Sequence, residues 1–149
     1  MRVIGGAWRG RRIEFPDVPG LRPTADRIRE TLCNWLQHAV AEARCLDLFA
    51  GSGALGLEAL SRGAREAVFV EQAVPAARAL QQQLLRLGAA NRGRVAEMGA
   101  RRYLGSRAAD AAAAGAEAFD LVFLDPPFGQ NALPEYVALL AAGLSPSPA

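Results

Sequence analysis

Apolar residues recur at helical spacing over residues 24–43, where Ile28, Leu32, Trp35, Leu36, Ala39 and Ala43 fall on one face. Thr24 stands where an N-cap is needed and Asp26 brings negative charge to the first turn, so the pattern predicts one amphipathic helix. Beyond it, short apolar runs alternate with helical segments. Strands are predicted at 45–49, 67–70, 94–97 and 119–124, the third of them weak and the fourth strong. Helices are predicted at 54–62, at 75–87, in the alanine-rich stretch after 97, and at 133–144. Pro75 near the start and Gly88 just past the end frame the helix at 75–87. Strands alternating with helices of this length imply βαβ units around a parallel sheet, and hence a doubly wound α/β domain. Residues 1–15 mix Val3, Ile4, Trp8, Ile13 and Phe15 with Gly5, Gly6 and Gly10, which suits a small appended hairpin. The proline-rich PDVPGLRP that follows reads as an extended linker, so the expected division is hairpin and linker over 1–21 and main domain over 22–149. The run FDLVFLD suits a central strand, yet it would lie at or near an edge if nothing followed it. The sheet is therefore expected to be C-terminally incomplete, or to be completed by something else.

Composition narrows the class. At 149 residues, 51% hydrophobic and 21% charged, the chain has the make-up of one soluble globular domain with a core that needs no disulfide or metal staple. Cys33 and Cys45 form no CxxC pair and His38 is the single histidine, so no metal site is expected and a reducing compartment is. The opening MRVIGGAWRG lacks the apolar run of a secretion signal and no segment approaches a membrane span, which predicts a cytoplasmic protein with no membrane partner. The net charge of +2 conceals an asymmetry: all seventeen basic residues are arginine, and seven lie in the first thirty positions against four acids. A basic N-terminus points to a polyanionic partner.

The sequence CLDLFAGSGALGLEAL puts a buried strand before Gly51, Ser52 and Gly53 and a helix after them. Gly51, Gly53 and Gly56 satisfy GxGxxG, and Glu71 ends the next strand, where an acid would take ribose hydroxyls. That pattern alone admits a dinucleotide or simply a tight strand-to-helix turn. Asp47, four residues before Gly51, tilts the choice. A carboxylate there repels pyrophosphate but attracts the ammonium and sulfonium of S-adenosylmethionine, which has no phosphate. Asp47 bonding only to the loop backbone would be compatible with either ligand.

At the end of the last predicted strand stand Asp125, Pro126, Pro127 and Phe128. Ligands bind at the carboxyl ends of strands in open parallel sheets, so the glycine loop and this DPPF turn are expected to share a cleft. An exocyclic amine on a base is a poor nucleophile because its lone pair is delocalised into the ring. Two acceptors, the Asp125 carboxylate and the Pro126 carbonyl, would hold its N–H groups and favour a pyramidal nitrogen aimed at a methyl group. Consecutive prolines stiffen the turn, and Phe128 offers a stacking face worth about 1–3 kcal/mol.

Together these residues resemble the RsmD family of small-subunit ribosomal RNA guanine-N2 methyltransferases. The resemblance rests on RVIGGAWRGRRI, LRPTADRIRETLCNWL, LDLFAGSGALGLEALSRGA, FVE and LVFLDPPF, which span nearly all of the chain to Phe128. It implies a Rossmann-like, S-adenosylmethionine-dependent fold with Asp47, Gly51, Ser52 and Gly53 along the methionine part of the cofactor and Glu71 at its ribose. It further implies that Asp125, Pro126, Pro127 and Phe128 hold a guanine flipped out of its stack. Arg22, Thr24, Asp26, Arg27 and Arg29 match the family's segment over the active-site mouth, and Trp8, Arg9, Arg11 and Arg12 match a basic hairpin on RNA backbone. The partner implied is small-subunit ribosomal RNA or the assembling small subunit. Where the family has Asp or Asn for the adenine amine, VAEMGARRYL offers Gly99, leaving backbone at Gly99 and Ala100 for that contact.

Two other readings stay open on sequence alone. A catalytically inactive RNA-binding remnant would keep the basic N-terminus but lack a sheet able to support catalysis. A nicotinamide-dependent oxidoreductase would use the literal GxGxxG, against which Asp47 and the DPPF turn both speak.

Overall fold

The computed structural model describes residues 2–14, 16, 34, 38–112 and 119–124, and only the backbone for 107–112. Four strands form one parallel sheet: β1 (Arg44–Asp47), β2 (Glu66–Val70), β3 (Gly93–Ala96) and β4 (Leu121–Phe123), in the order β3-β2-β1-β4. Three α-helices intervene: α1 (Ala54–Ser61), α2 (Val74–Arg86) and α3 (Ala100–Ala112). A short 3-10 turn, Gly6–Trp8, precedes them.

Because side chains alternate across a strand, the register sorts them into two cores. Cys45 pairs with Ala67 and Leu121, and Asp47 with Phe69 and Phe123, so these positions share one face. That face packs against Leu55, Leu57 and Leu60 of α1 and Leu80 and Leu84 of α2. Leu46, Val68 and Val70 point the other way, against Ala100 and Leu104 of α3. Helices therefore cover both faces, which is the doubly wound, Rossmann-like arrangement the alternation predicts. Among the described residues β4 is an outer strand, paired only to β1.

The element boundaries differ from the periodicity by a residue or two. β1 starts at Arg44, whose guanidinium meets Glu66 at 3.1 Å and lies over the Phe119 ring at 4.8 Å. It ends at Asp47 although apolar Leu48 and Phe49 follow, because the chain must leave the ladder there to turn into the glycine loop. Leu48 makes a last bond, its N–H to the Phe123 carbonyl at 3.2 Å. Asp120 fastens the foot of β4: its N–H donates to the Arg44 carbonyl and its Oδ2 accepts the Arg44 N–H, both at 2.8 Å.

α2 closes on Leu87, with Gly88 one position beyond at φ +70°, where the Ala89 N–H donates to the Leu84 carbonyl at 2.8 Å as in a Schellman ending. Residues 38–40 are helical, and Glu42 at φ +61° ends that helix sooner than residue 43 and swings the chain toward β1. The remainder of the helix expected at 24–43 lies outside the described residues apart from Asn34, which is helical, as does the helix expected at 133–144.

Residues 2–14 form less of a hairpin than their composition suggests. A single antiparallel bridge, Arg2 with Arg12, closes a loop built around the 3-10 turn. Its apolar members, Val3, Trp8 and Ile13, enter the same core as α1 and α2. No described helix is long and apolar enough to cross a membrane.

Candidate active site

The carboxyl ends of β1, β2 and β3 bring together the residues that sequence reasoning assigned to a ligand. After β1 the chain turns through Gly51 (φ +56°) and Gly53 (φ +79°), conformations that favour glycine. The three glycines serve different ends. A Cβ at Gly51 would meet nothing within 4 Å, so that face of the loop is open. One at Gly53 would run into Leu80 Cδ1 at 2.4 Å, and one at Gly56 into Phe69 Cε1 at 2.3 Å, which makes Gly56 the close contact between α1 and β2.

Two buried carboxylates fix the loop. Asp47 is 3% exposed, and its Oδ2 accepts the Gly56 N–H at 3.2 Å. α1 has no side-chain cap of its own, so a carboxylate from the neighbouring strand serves its first turn. Glu71 is 6% exposed; its Oε1 accepts the Gly51 N–H at 2.9 Å and its Oε2 the Ala73 N–H at 2.8 Å. Glu71 thus ties the glycine loop to the start of α2. Both acids have backbone partners at the carboxyl ends of their strands.

Ser52 is 7% exposed, and its hydroxyl has no hydrogen-bond partner among the described residues. On the β3 side, Gly99 precedes α3, where its carbonyl accepts the Tyr103 N–H at 3.1 Å, and Ala100 opens the helix. The Gln72 amide oxygen is 3.4 Å from where a Cβ on Gly99 would sit. Gln72 was not foreseen; its only signal is that it follows Glu71.

Beneath the loop, burial pushes the Cys45 thiol up to about 12, with the charges of Asp120 and Asp47 adding to the effect. Cys45 is therefore a neutral core residue and not a nucleophile.

Phe123, at the end of β4, is the register partner of Asp47. Asp125, Pro126, Pro127 and Phe128 themselves lie outside the described residues, as do Arg22, Thr24, Asp26, Arg27 and Arg29. No group of three or more acids, histidines or cysteines among the described residues could hold a metal.

Of the basic N-terminal residues, Arg9, Arg11 and Arg12 are exposed, while Trp8 is 7% exposed with Arg92 over its ring at 5.6 Å. The indole therefore packs in the core, and the arginines alone present themselves outward. The segment that carries them sits by the last turns of α1 and α2, whereas the glycine loop precedes the first turn of α1. Gly5 and Trp8 bond to Ser61 at the end of α1, and Arg11 donates to the Arg86 carbonyl at the end of α2, at 3.3 Å.

Residues 1–146 match the family model described as Conserved hypothetical protein 95. The chain belongs to this family, the RsmD family. Among its relatives, Ribosomal RNA small subunit methyltransferase D of Escherichia coli (strain K12) is 48% identical over 140 residues, covering 94% of this chain and 66% of that protein. The Haemophilus influenzae protein of the same name is 40% identical over 141 residues, covering 94% of this chain and 70% of that one. The solved structure of Escherichia coli yhhF superposes with a TM-score of 0.81 at 42% identity, covering 96% of this chain and 73% of that one. This RsmD-family chain thus spans just under two thirds of the length of its Escherichia coli relative.

Proposed function

We propose that this chain binds S-adenosylmethionine and belongs to an enzyme that methylates the exocyclic N2 amine of a guanine in small-subunit ribosomal RNA, in the cytoplasm. The carrying observation is the match of residues 1–146 to the family model, joined to a glycine loop that is open at Gly51 beside Glu71. Asp47 bonds the α1 backbone at Gly56, a contact that by itself suits a dinucleotide or a cationic ligand. The open face at Gly51 suits the methionine part, and Glu71 suits the ribose. Family membership and the names of the relatives support the same reading.

S-adenosylmethionine supplies a methyl group made electrophilic by its sulfonium. Asp47 and Glu71 would balance the ligand's positive charge while holding the loop in its bound shape. Asp125 and the Pro126 carbonyl would accept the two amine N–H groups, and Phe128 would stack on the base. Asp125 or water would take the proton that the amine gives up on methylation.

Asp125→Ala is the test. Methyl transfer to small-subunit RNA should be lost while affinity for S-adenosylhomocysteine, measured by calorimetry, stays within a few-fold. Retained transfer would remove Asp125 from the reaction. RNA binding without any transfer in the parent chain would favour a binding-only role.

A further inference from the structure

Glu58 is an acid in the middle of the apolar run ALGLEALS, and it is fully buried at 0% exposure. Its two oxygens face the N-terminal segment. Oε1 accepts the Ile4 N–H at 2.8 Å, and Oε2 accepts the Gly5 N–H at 2.9 Å and the Arg62 guanidinium at 3.0 Å. One turn on, the Ser61 hydroxyl donates to the Gly5 carbonyl at 2.6 Å and accepts the Trp8 N–H at 3.0 Å. Gly6, at φ +79°, lies so close that a Cβ on it would overlap the Ser61 carbonyl oxygen. Arg92 completes the enclosure, stacked on Trp8 and donating to the Ala64 carbonyl at 3.1 Å.

This is an expensive arrangement to build for packing alone. A buried carboxylate is tolerated only with its oxygens satisfied, and the partners here are backbone N–H groups of a segment more than fifty positions away in sequence. What the clasp holds in place is the loop presenting Arg9, Arg11 and Arg12. Loose arginines would have to be ordered on meeting a polyanion, whereas a preset loop avoids that cost. The position matters too. The first turn of α1 carries the Asp47 bond at Gly56 and its last turn carries the clasp at Glu58 and Ser61, about 3 to 7.5 Å further along at 1.5 Å per residue.

We infer that Glu58 and Ser61 are positioning residues: they lock the arginine loop to the far end of α1, so that this helix sets the spacing between an RNA-phosphate grip and the ligand loop. The inference rests on the RNA-methyltransferase reading above. It adds the residues that orient the grip and the element that spaces it.

The test uses the full chain with Glu58→Gln and, separately, Ser61→Ala, the milder change should the first fail to fold. Three quantities are read: tryptic cleavage after Arg9, Arg11 and Arg12, affinity for S-adenosylhomocysteine, and affinity for a labelled small-subunit RNA stem-loop across a salt series. The expected result is at least tenfold faster cleavage and S-adenosylhomocysteine affinity within twofold of the parent. RNA binding should weaken about tenfold, with the slope of log K against log salt falling by about 2 to 3, as three phosphate contacts would give. The triple variant Arg9→Ala, Arg11→Ala, Arg12→Ala should show the same slope, and adding Ser61→Ala to it should change RNA affinity no further. A merely structural role would not produce that non-additivity. Unchanged cleavage in both variants overturns the clasp. Faster cleavage with unchanged RNA affinity and slope overturns the positioning role. Parent chain that binds no RNA at any salt overturns the RNA reading itself, a result distinct from both.

Discussion

Gly56→Ala is the substitution on which intuition and the structure disagree. Gly56 lies inside α1, where alanine is the better helix former by about 1 kcal/mol, so local propensity predicts stabilisation. The added Cβ, however, would sit 2.3 Å from Phe69 Cε1, 2.8 Å from Cζ and 3.0 Å from Cδ1. Ordinary carbon contacts are about 3.5–4.0 Å, so ring or helix must give by more than an ångström. Phe69 is fully buried in β2 and its ring has no free end to swing aside. Overpacking of this kind costs about 1–3 kcal/mol, and displacing α1 also draws the Gly56 N–H from Asp47, a charge-assisted bond worth about 1.5–3 kcal/mol. The expected net effect is a loss of about 1.5–5 kcal/mol by urea denaturation with an unchanged m-value. Gly51→Ala is the control. It meets no atom within 4 Å and carries only the left-handed backbone cost, about 1–2 kcal/mol. That methyl would project into open space at the mouth, so affinity for S-adenosylhomocysteine should fall at least tenfold. A Gly56→Ala protein as stable as the parent would refute the packing argument; a Gly51→Ala protein that binds normally would show that the open face is not the ligand's.

Glu71→Gln keeps the shape but puts an amide where two backbone N–H groups need acceptors, and calorimetry should show at least tenfold weaker S-adenosylhomocysteine binding with a stability loss of about 1–2 kcal/mol. Asp120→Ala removes the acceptor for the Arg44 N–H at the foot of β4, with an expected loss of about 1 kcal/mol in chemical denaturation and little effect on ligand affinity. Cys45, its thiol pushed up to about 12, should resist iodoacetamide in the native state at pH 9, read by peptide mass spectrometry. Because the unfolded thiol ionises near its ordinary value and the folded one only near 12, its contribution is complete below pH 9 and is lost as pH rises toward 12. Replacing it with Ala should flatten stability over that window.

The alternation of apolar runs determined the parallel α/β core from the sequence alone, because a strand buried on both faces must read as an uninterrupted apolar run and its connecting helices as amphipathic ones. Gly51, Gly53 and Glu71 were legible for a similarly local reason: a turn between strand and helix demands left-handed backbone, and an acid at the next strand end lies beside it by topology. Tertiary structure decided what each of these residues touches. That Asp47 serves α1 as its missing cap depends on a strand and a helix meeting across nine positions, and that Gly56 is needed for Phe69 depends on how α1 lies on β2. Nothing in the sequence singles out Glu58, and only the fold reveals its partners at Ile4 and Gly5. Trp8 and the arginines beside it were indistinguishable as members of one basic segment until packing turned the indole inward and left the guanidinium groups outside. Spacing along a chain fixes which backbone conformations and faces are available. Which distant atom satisfies a buried charge is settled by the packing of elements that the sequence specifies only jointly.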